Sequence, residues 1–92
     1  MRSMSLLPRI GEGVRAEVVI GEQLLFLFCT ETGVGPAAAL FNATTNQWVD
    51  RQWAADIDDG KKKAVDLARE FLARVGIPAN TPFPDVEWKE IG

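Results

Sequence analysis

The chain has 92 residues, of which 47% are hydrophobic and 25% are charged, which is typical of one globular domain with a modest core. Ten basic and thirteen acidic residues give a net charge of −3. Nucleic-acid binders usually have the opposite balance, because contacts to phosphate supply much of their affinity. No apolar run approaches the roughly 18 residues of a membrane span, and the first residues do not resemble a secretory leader, so we expect a cytoplasmic protein.

The residue inventory argues against catalysis. The chain has no histidine and no tyrosine, and Cys29 is its one cysteine. Histidine is the commonest general base at neutral pH and a frequent metal ligand. We therefore expect no enzyme, no catalytic residues, no metal and no cofactor. Because Cys29 lies within an apolar run, it is predicted to be a buried thiol.

The first two strands are predicted from residues 14–20 and 23–30, joined by a tight turn at Gly21 and Glu22. Residues 14–20 alternate in polarity, which is typical of a half-buried strand. Residues 23–30 are apolar on both faces, with Leu24, Phe26 and Phe28 on one side and Leu25, Leu27 and Cys29 on the other. Such a strand belongs in a sheet that is covered on both faces.

Two more strands follow at short intervals. Residues 30–36 contain two glycines and are predicted to form a loop before an alanine-rich strand at residues 37–41. A polar turn at residues 42–46 leads to a fourth strand at residues 47–53. Strands this close together in sequence favour an antiparallel meander.

One helix is predicted over residues 61–75. Apolar side chains recur there with helical spacing, at Ala64, Leu67, Ala68, Phe71, Leu72 and Val75. Three aspartates upstream offer capping oxygens and negative charge where the helix dipole favours them, namely Asp56, Asp58 and Asp59. Gly76 and Pro78 are predicted to end the helix.

The expected fold is therefore α+β, with a four-stranded antiparallel meander followed by one long helix (ββββα). Residues 1–12 are predicted to be a tail, residues 13–76 the domain, and residues 77–92 a proline-rich arm that packs on the domain or on a partner. One helix cannot cover both faces of the sheet. We expect the second face to be covered by a partner sheet, by residues 83–91 of the arm, or by a ligand.

Three consecutive lysines, Lys61, Lys62 and Lys63, are predicted to lie in the first turn of the helix. The run from Gly60 to Ala64, placed after a meander, resembles the start of the second helix of double-stranded RNA-binding domains. That resemblance implies that the lysines grip backbone phosphates. The resemblance covers about 15 of the 92 residues. The rest of the chain departs from that family, because it lacks the helix that precedes the first strand and the first-hairpin motif with its histidine.

We expect a non-enzymatic interaction module that forms a homodimer through an apolar sheet face, because apolar patches of this size are rarely exposed on monomers. The candidate interface residues are Phe26, Leu27, Trp48, Trp53, Phe83 and Trp88. One alternative is binding of RNA or single-stranded DNA through the three lysines and the sheet aromatics. Another alternative is binding of an apolar small molecule.

Overall fold

A computed structural model describes residues 13–78 and 80–91. The elements in chain order are β1 (Gly13–Ile20), β2 (Gln23–Thr32), β3 (Gly35–Asn42), β4 (Gln47–Trp53), α1 (Ile57–Arg74) and β5 (Lys89–Glu90). They form one five-stranded sheet in the order β4-β3-β2-β1-β5, and neighbouring strands are antiparallel. The predicted ββββα order is confirmed, with a short fifth strand added. The predicted tail at residues 1–12 lies outside the described residues.

The connection between β2 and β3 is shorter than predicted. Most of the expected loop at residues 30–36 is paired as strand, which leaves Gly33 and Val34 as the turn. The Thr32 side chain holds this turn closed: its hydroxyl donates to the Gly35 carbonyl at 2.7 Å and accepts from the Val34 N–H at 3.1 Å. A threonine hydroxyl can stand in for a backbone partner in a turn, so the hairpin stays tight.

The helix packs on the face of β2 that carries Leu25, Leu27 and Cys29. All three side chains are 0% exposed. The rest of the core comes from β1, β3 and α1, through Val18, Ile20, Ala38, Leu40, Ala64, Leu67, Ala68 and Leu72. The opposite side chains of β2, including Phe26 and Phe28, are partly exposed. The sheet therefore has a closed face under the helix and an open face.

Helix α1 begins one turn earlier than predicted. Asp56 is its N-cap, and Oδ1 of this residue accepts from the Asp59 N–H at 2.7 Å. Asp59 in turn accepts from the Ala55 N–H at 2.9 Å. The predicted capping by aspartates is confirmed at these two positions. The predicted start at residue 61 was wrong because Gly60, a poor helix former, lies inside the helix.

The position of Gly60 inside α1 follows from packing. Gly60 is buried, and a Cβ at this position would overlap the Cys29 sulfur. The Cys29 thiol also donates to the Ile57 carbonyl at 3.4 Å. Burial raises the pKa of the Cys29 thiol above its usual value, which keeps the group neutral. The predicted buried thiol is confirmed, and it lies where the backbone of α1 approaches the sheet closely.

The described residues of the arm, 77–78 and 80–91, return along the helix side of the molecule. Phe83, Val86 and Trp88 are partly buried against the core, and the Arg69 guanidinium of α1 lies 4.8 Å from the centre of the Phe83 ring. The arm then pairs with the outer edge of β1 through β5. The described part of the arm therefore does not cover the open face. Of the three covers expected for that face, a partner sheet and a ligand remain.

A double-mutant cycle tests the contact between Gly60 and Cys29. Alanine is favoured over glycine in a helix by about 1 kcal/mol. Gly60→Ala should nevertheless lower the free energy of unfolding, because overpacking costs about 1–3 kcal/mol. Adding Cys29→Ala should recover part of this loss, since the sulfur that meets the new methyl group is gone.

Urea unfolding of the four proteins in this cycle measures the coupling energy between the two positions. Ala73→Gly, at an exposed position of α1, reports the helix-propensity difference alone. If the losses from Gly60→Ala and Cys29→Ala simply add, the sulfur is not what requires glycine at position 60.

Candidate interaction surface

The open face carries four aromatic rings in contact with one another, which we call the aromatic cluster: Phe26, Phe28, Phe41 and Trp48. Phe41 is the cross-strand partner of both Phe26 on β2 and Trp48 on β4. The Phe26 and Phe41 rings are stacked at 6.1 Å, and the Phe41 and Trp48 rings meet edge to face at 4.9 Å. Phe28 lies 5.5 Å from Trp48. Aromatic pairs across strands stabilise a sheet and fix its register.

A β-bulge in β4 places Trp48 in the aromatic cluster. Leu40 pairs with Asp50, whereas the next residue, Phe41, pairs with Trp48, so β4 has one extra residue at this point. Val49 packs against the core from this position. Arg51 lies on the open face, opposite Ala39. Without the bulge, strict alternation of side chains along β4 would place Trp48, three residues before Arg51, on the helix side. The bulge therefore adds a tryptophan to the open face.

A hollow lies beside the aromatic cluster and has a volume of about 690 Å³. Its lining includes two small side chains of β3, Ala37 and Ala39, and the rings of Phe28 and Trp48, which contact each other at 5.5 Å. Thr30, Thr32, Val49, Asp50 and Arg51 complete the lining. The hollow exists because the two open-face residues of β3 that precede Phe41 are alanines, where larger residues would fill the space.

Three large apolar side chains on the open face are unusually exposed. Trp48 is 65% exposed, Trp53 is 55% exposed, and Val19 on β1 is 63% exposed. The register places all three on the open face. Contiguous apolar surface of this kind marks interaction sites on soluble proteins.

The charges on the open face are balanced. Arg15 and Glu17 of β1 lie opposite Phe28 and Phe26, and their side chains approach to 4.0 Å. On β4, Asp50 and Arg51 line the hollow. Each basic group thus has an acidic neighbour, and this surface has no strong net field toward an ionic ligand.

The outer edge of β4 is partly blocked. The Asp50 carboxylate accepts a hydrogen bond of 2.8 Å from the Arg51 N–H. That backbone donor is therefore already occupied, and the bulge beside it distorts the edge. Bulges and charged residues are the usual protection of an edge strand against pairing with another sheet. The β4 edge therefore offers little free backbone for pairing with another strand.

The predicted interface residues divide into three locations. Phe26, Trp48 and Trp53 lie together on the open face. Leu27 is fully buried beneath α1, so it belongs to the core and not to a surface. Phe83 and Trp88 lie on the arm, against the helix side of the domain.

Sequence reasoning missed two members of the aromatic cluster. Phe28 shares the alternation of Phe26, so the pattern of β2 could have identified it once the helix face was known. Phe41 becomes a neighbour of Phe26 through the register between β2 and β3. No local signal in the alanine-rich strand predicts that register.

The lysines lie in the second turn of α1, which corrects their predicted place in the first turn. Lys61 approaches Asp58 at 4.0 Å, and Lys63 is 3.1 Å from Asp59, so both have carboxylate neighbours. Lys61 and Lys62 border a shallow groove with Arg69 and Trp88. Because α1 covers the closed face, these lysines and the aromatic cluster lie on opposite sides of the sheet and do not form one surface.

Two other kinds of site were sought over residues 13–78 and 80–91. No three cysteine, aspartate or glutamate side chains in these ranges are placed to share a metal ion. No helix in the same ranges is long and apolar enough to cross a membrane.

Comparison with protein-family models, with curated proteins and with solved structures finds no significant match for this chain. Its function must therefore be argued from its own surface.

The acidic start of α1 predicts a dependence of stability on pH. The Ala55 N–H and, after it, Lys63 hold the pKa of Asp59 below its usual 3.8. A carboxyl group whose pKa is lower in the folded protein stabilises the fold above its unfolded pKa, and this contribution is lost as the pH falls through the folded pKa. The difference in unfolding free energy between wild type and Asp59→Asn should therefore shrink in acid.

Urea unfolding at a series of pH values between 7 and 2.5 measures this difference. Asp85→Asn on the exposed part of the arm is the matched control variant. Parallel stability curves for the wild type and Asp59→Asn across this range would contradict the assigned role of the Asp59 carboxylate.

Proposed function

We propose that this protein is a non-enzymatic, cytoplasmic interaction module that forms a homodimer by packing the open faces of two sheets against each other. The observation that carries the proposal is the aromatic cluster, which no described residue covers. An antiparallel sheet with a solvated face normally shows polar residues there. Here that face carries phenylalanines and tryptophans, which are enriched in the cores of protein interfaces.

The open face has enough area for a specific dimer. Four strands spaced by about 4.8 Å, each some eight residues long with a rise of about 3.3 Å per residue, span roughly 20 by 26 Å. Two copies would bury about 1,000 Å² together, which is close to the lower limit for specific interfaces. We therefore expect a dimer that forms reversibly, with a dissociation constant near the micromolar range.

A second copy is the partner that this surface fits best. The face is apolar at its centre and has balanced charges at its margins, so two copies can meet without net repulsion. Face-to-face packing of twisted sheets, about 10 Å apart, is a common arrangement in β-sandwiches. A two-fold symmetric dimer buries the open faces of both copies in one interface. No open face is then left to bind a further copy, so a filament does not form.

Nucleic-acid binding is the first alternative. The aromatic cluster could stack bases, as in proteins that bind single strands. Such a groove also needs basic lining, and on the described open face Arg15 and Arg51 each have an acidic neighbour. The lysines on the far side of the sheet cannot supply this lining. The hollow could instead hold an apolar small molecule, and no polar group there specifies one.

Light scattering after size exclusion tests the dimer. At high concentration the wild type should approach about 20 kDa, twice the 10.1 kDa of the chain, and should fall toward the monomer on dilution. Phe26→Asp, at the centre of the open face, should remain monomeric because a charge would be buried without a partner.

Val34→Asp is the matched control, because Val34 is 81% exposed in the β2–β3 turn, at the end of the hairpin. This variant should dimerise like the wild type, and both variants should keep the helical circular dichroism signal. Leu27→Asp would not serve, since it would disrupt the core. A wild type that stays monomeric at millimolar concentration, or a Phe26→Asp variant that still dimerises, would overturn the proposal.

Oligonucleotide binding separates the proposal from its first alternative. At low salt, neither single-stranded DNA nor RNA should change the fluorescence anisotropy or gel mobility of labelled strands. Binding that weakens steeply with salt and is lost in Phe26→Asp would instead assign the open face to nucleic acid.

A further inference from the structure

We infer that the hollow above Ala37 and Ala39 receives the Trp53 indole of a second copy, so that each subunit both inserts and accepts one tryptophan. This inference rests on the proposed homodimer and names the residue that completes its interface. It requires three things: a hollow of suitable shape, a projecting side chain without a partner of its own, and the presence of both on one face.

The hollow suits a flat apolar side chain. Its volume of about 690 Å³ lies within the range of about 300–1,000 Å³ that is typical of ligand pockets, so an indole and the residues beside it fit. The two alanines let a ring approach the sheet closely, and the contacting rings of Phe28 and Trp48 offer an aromatic surface beside it for edge-to-face contacts. Thr30 adds a hydroxyl group to the lining, which can accept a hydrogen bond from an indole N–H.

Trp53 is the side chain on this face that lacks an aromatic partner. Trp48 contacts Phe28 and Phe41, whereas Trp53 has no aromatic contact among the described residues. It is 55% exposed at the last position of β4. Leaving an indole this exposed forgoes much of the stabilisation that its burial would give. Tryptophan is also the residue type most characteristic of interface hot spots.

The hollow and Trp53 lie on the same face of the same sheet. Trp53 pairs with Ala37 across β3 and β4, while the hollow extends along β3 toward Ala39 and Trp48. The projection and the recess are therefore side by side. A two-fold symmetric interface requires each surface to be complementary to itself, and adjacent projection and recess provide that complementarity. This shape argument selects a second copy over an unrelated partner.

Two substitutions test the insertion from opposite sides. Trp53→Ala removes the projecting ring, and Ala39→Leu fills the recess from within. Neither should unfold the domain, because both positions lie on the open face outside the core cluster. Each should raise the dimer dissociation constant at least about tenfold, as measured by sedimentation equilibrium. The double variant should be little weaker than either single one, because both changes remove the same contact.

The matched control is Val75→Ala, which shortens a 45% exposed apolar residue at the C-cap of α1, on the helix side of the sheet, and should leave the dissociation constant unchanged. If Phe26→Asp abolishes dimerisation but Trp53→Ala or Ala39→Leu retains the wild-type constant, the insertion is wrong and the proposed homodimer stands. Additive losses in the double variant would likewise place Trp53 outside the hollow. A wild type that is monomeric throughout would overturn the homodimer and the insertion together.

Discussion

The close contact between α1 and β2 is the constraint on which the rest of the structure depends. Leu25, Leu27 and Cys29 are fully buried beneath the helix, and Gly60 lets the helix backbone approach the Cys29 sulfur. A strand presents alternate residues to opposite sides, so this contact decides which side chains of the sheet lie under the helix and which lie on the open face. Once the helix takes the cysteine side, Phe26 and Phe28 must lie on the other side.

The open face is then organised by strand register. Pairing of β2 with β3 brings Phe41 beside Phe26, and the bulge in β4 adds Trp48 to the aromatic cluster. The same register places alanines next to Phe28 and Trp48, which creates the hollow. The apolar rings and the hollow thus result from one arrangement of strands, and they lie together on the open face.

The remaining described surfaces are partly covered or charged. The arm occupies the helix side and covers part of the β1 edge, while Asp50 and the bulge protect the β4 edge. The lysines of α1 have carboxylate neighbours at Asp58 and Asp59 and lie across the sheet from the aromatic cluster. Among the described surfaces, the open face is therefore the one that combines large apolar area with free access.

The sequence by itself determined the order of the elements, because alternation, turn residues and the helical stripe are local patterns. It also determined that β2 would have two apolar faces, that Cys29 would be buried and that aspartates would cap the helix. The tertiary structure alone decided which face the helix covers, since Leu27 and Phe26 are equally apolar. It also decided the inclusion of Gly60 within the helix, the bulge at Val49 and the position of the arm. Each of these depends on contacts between residues far apart in the chain, and such contacts leave no local signal.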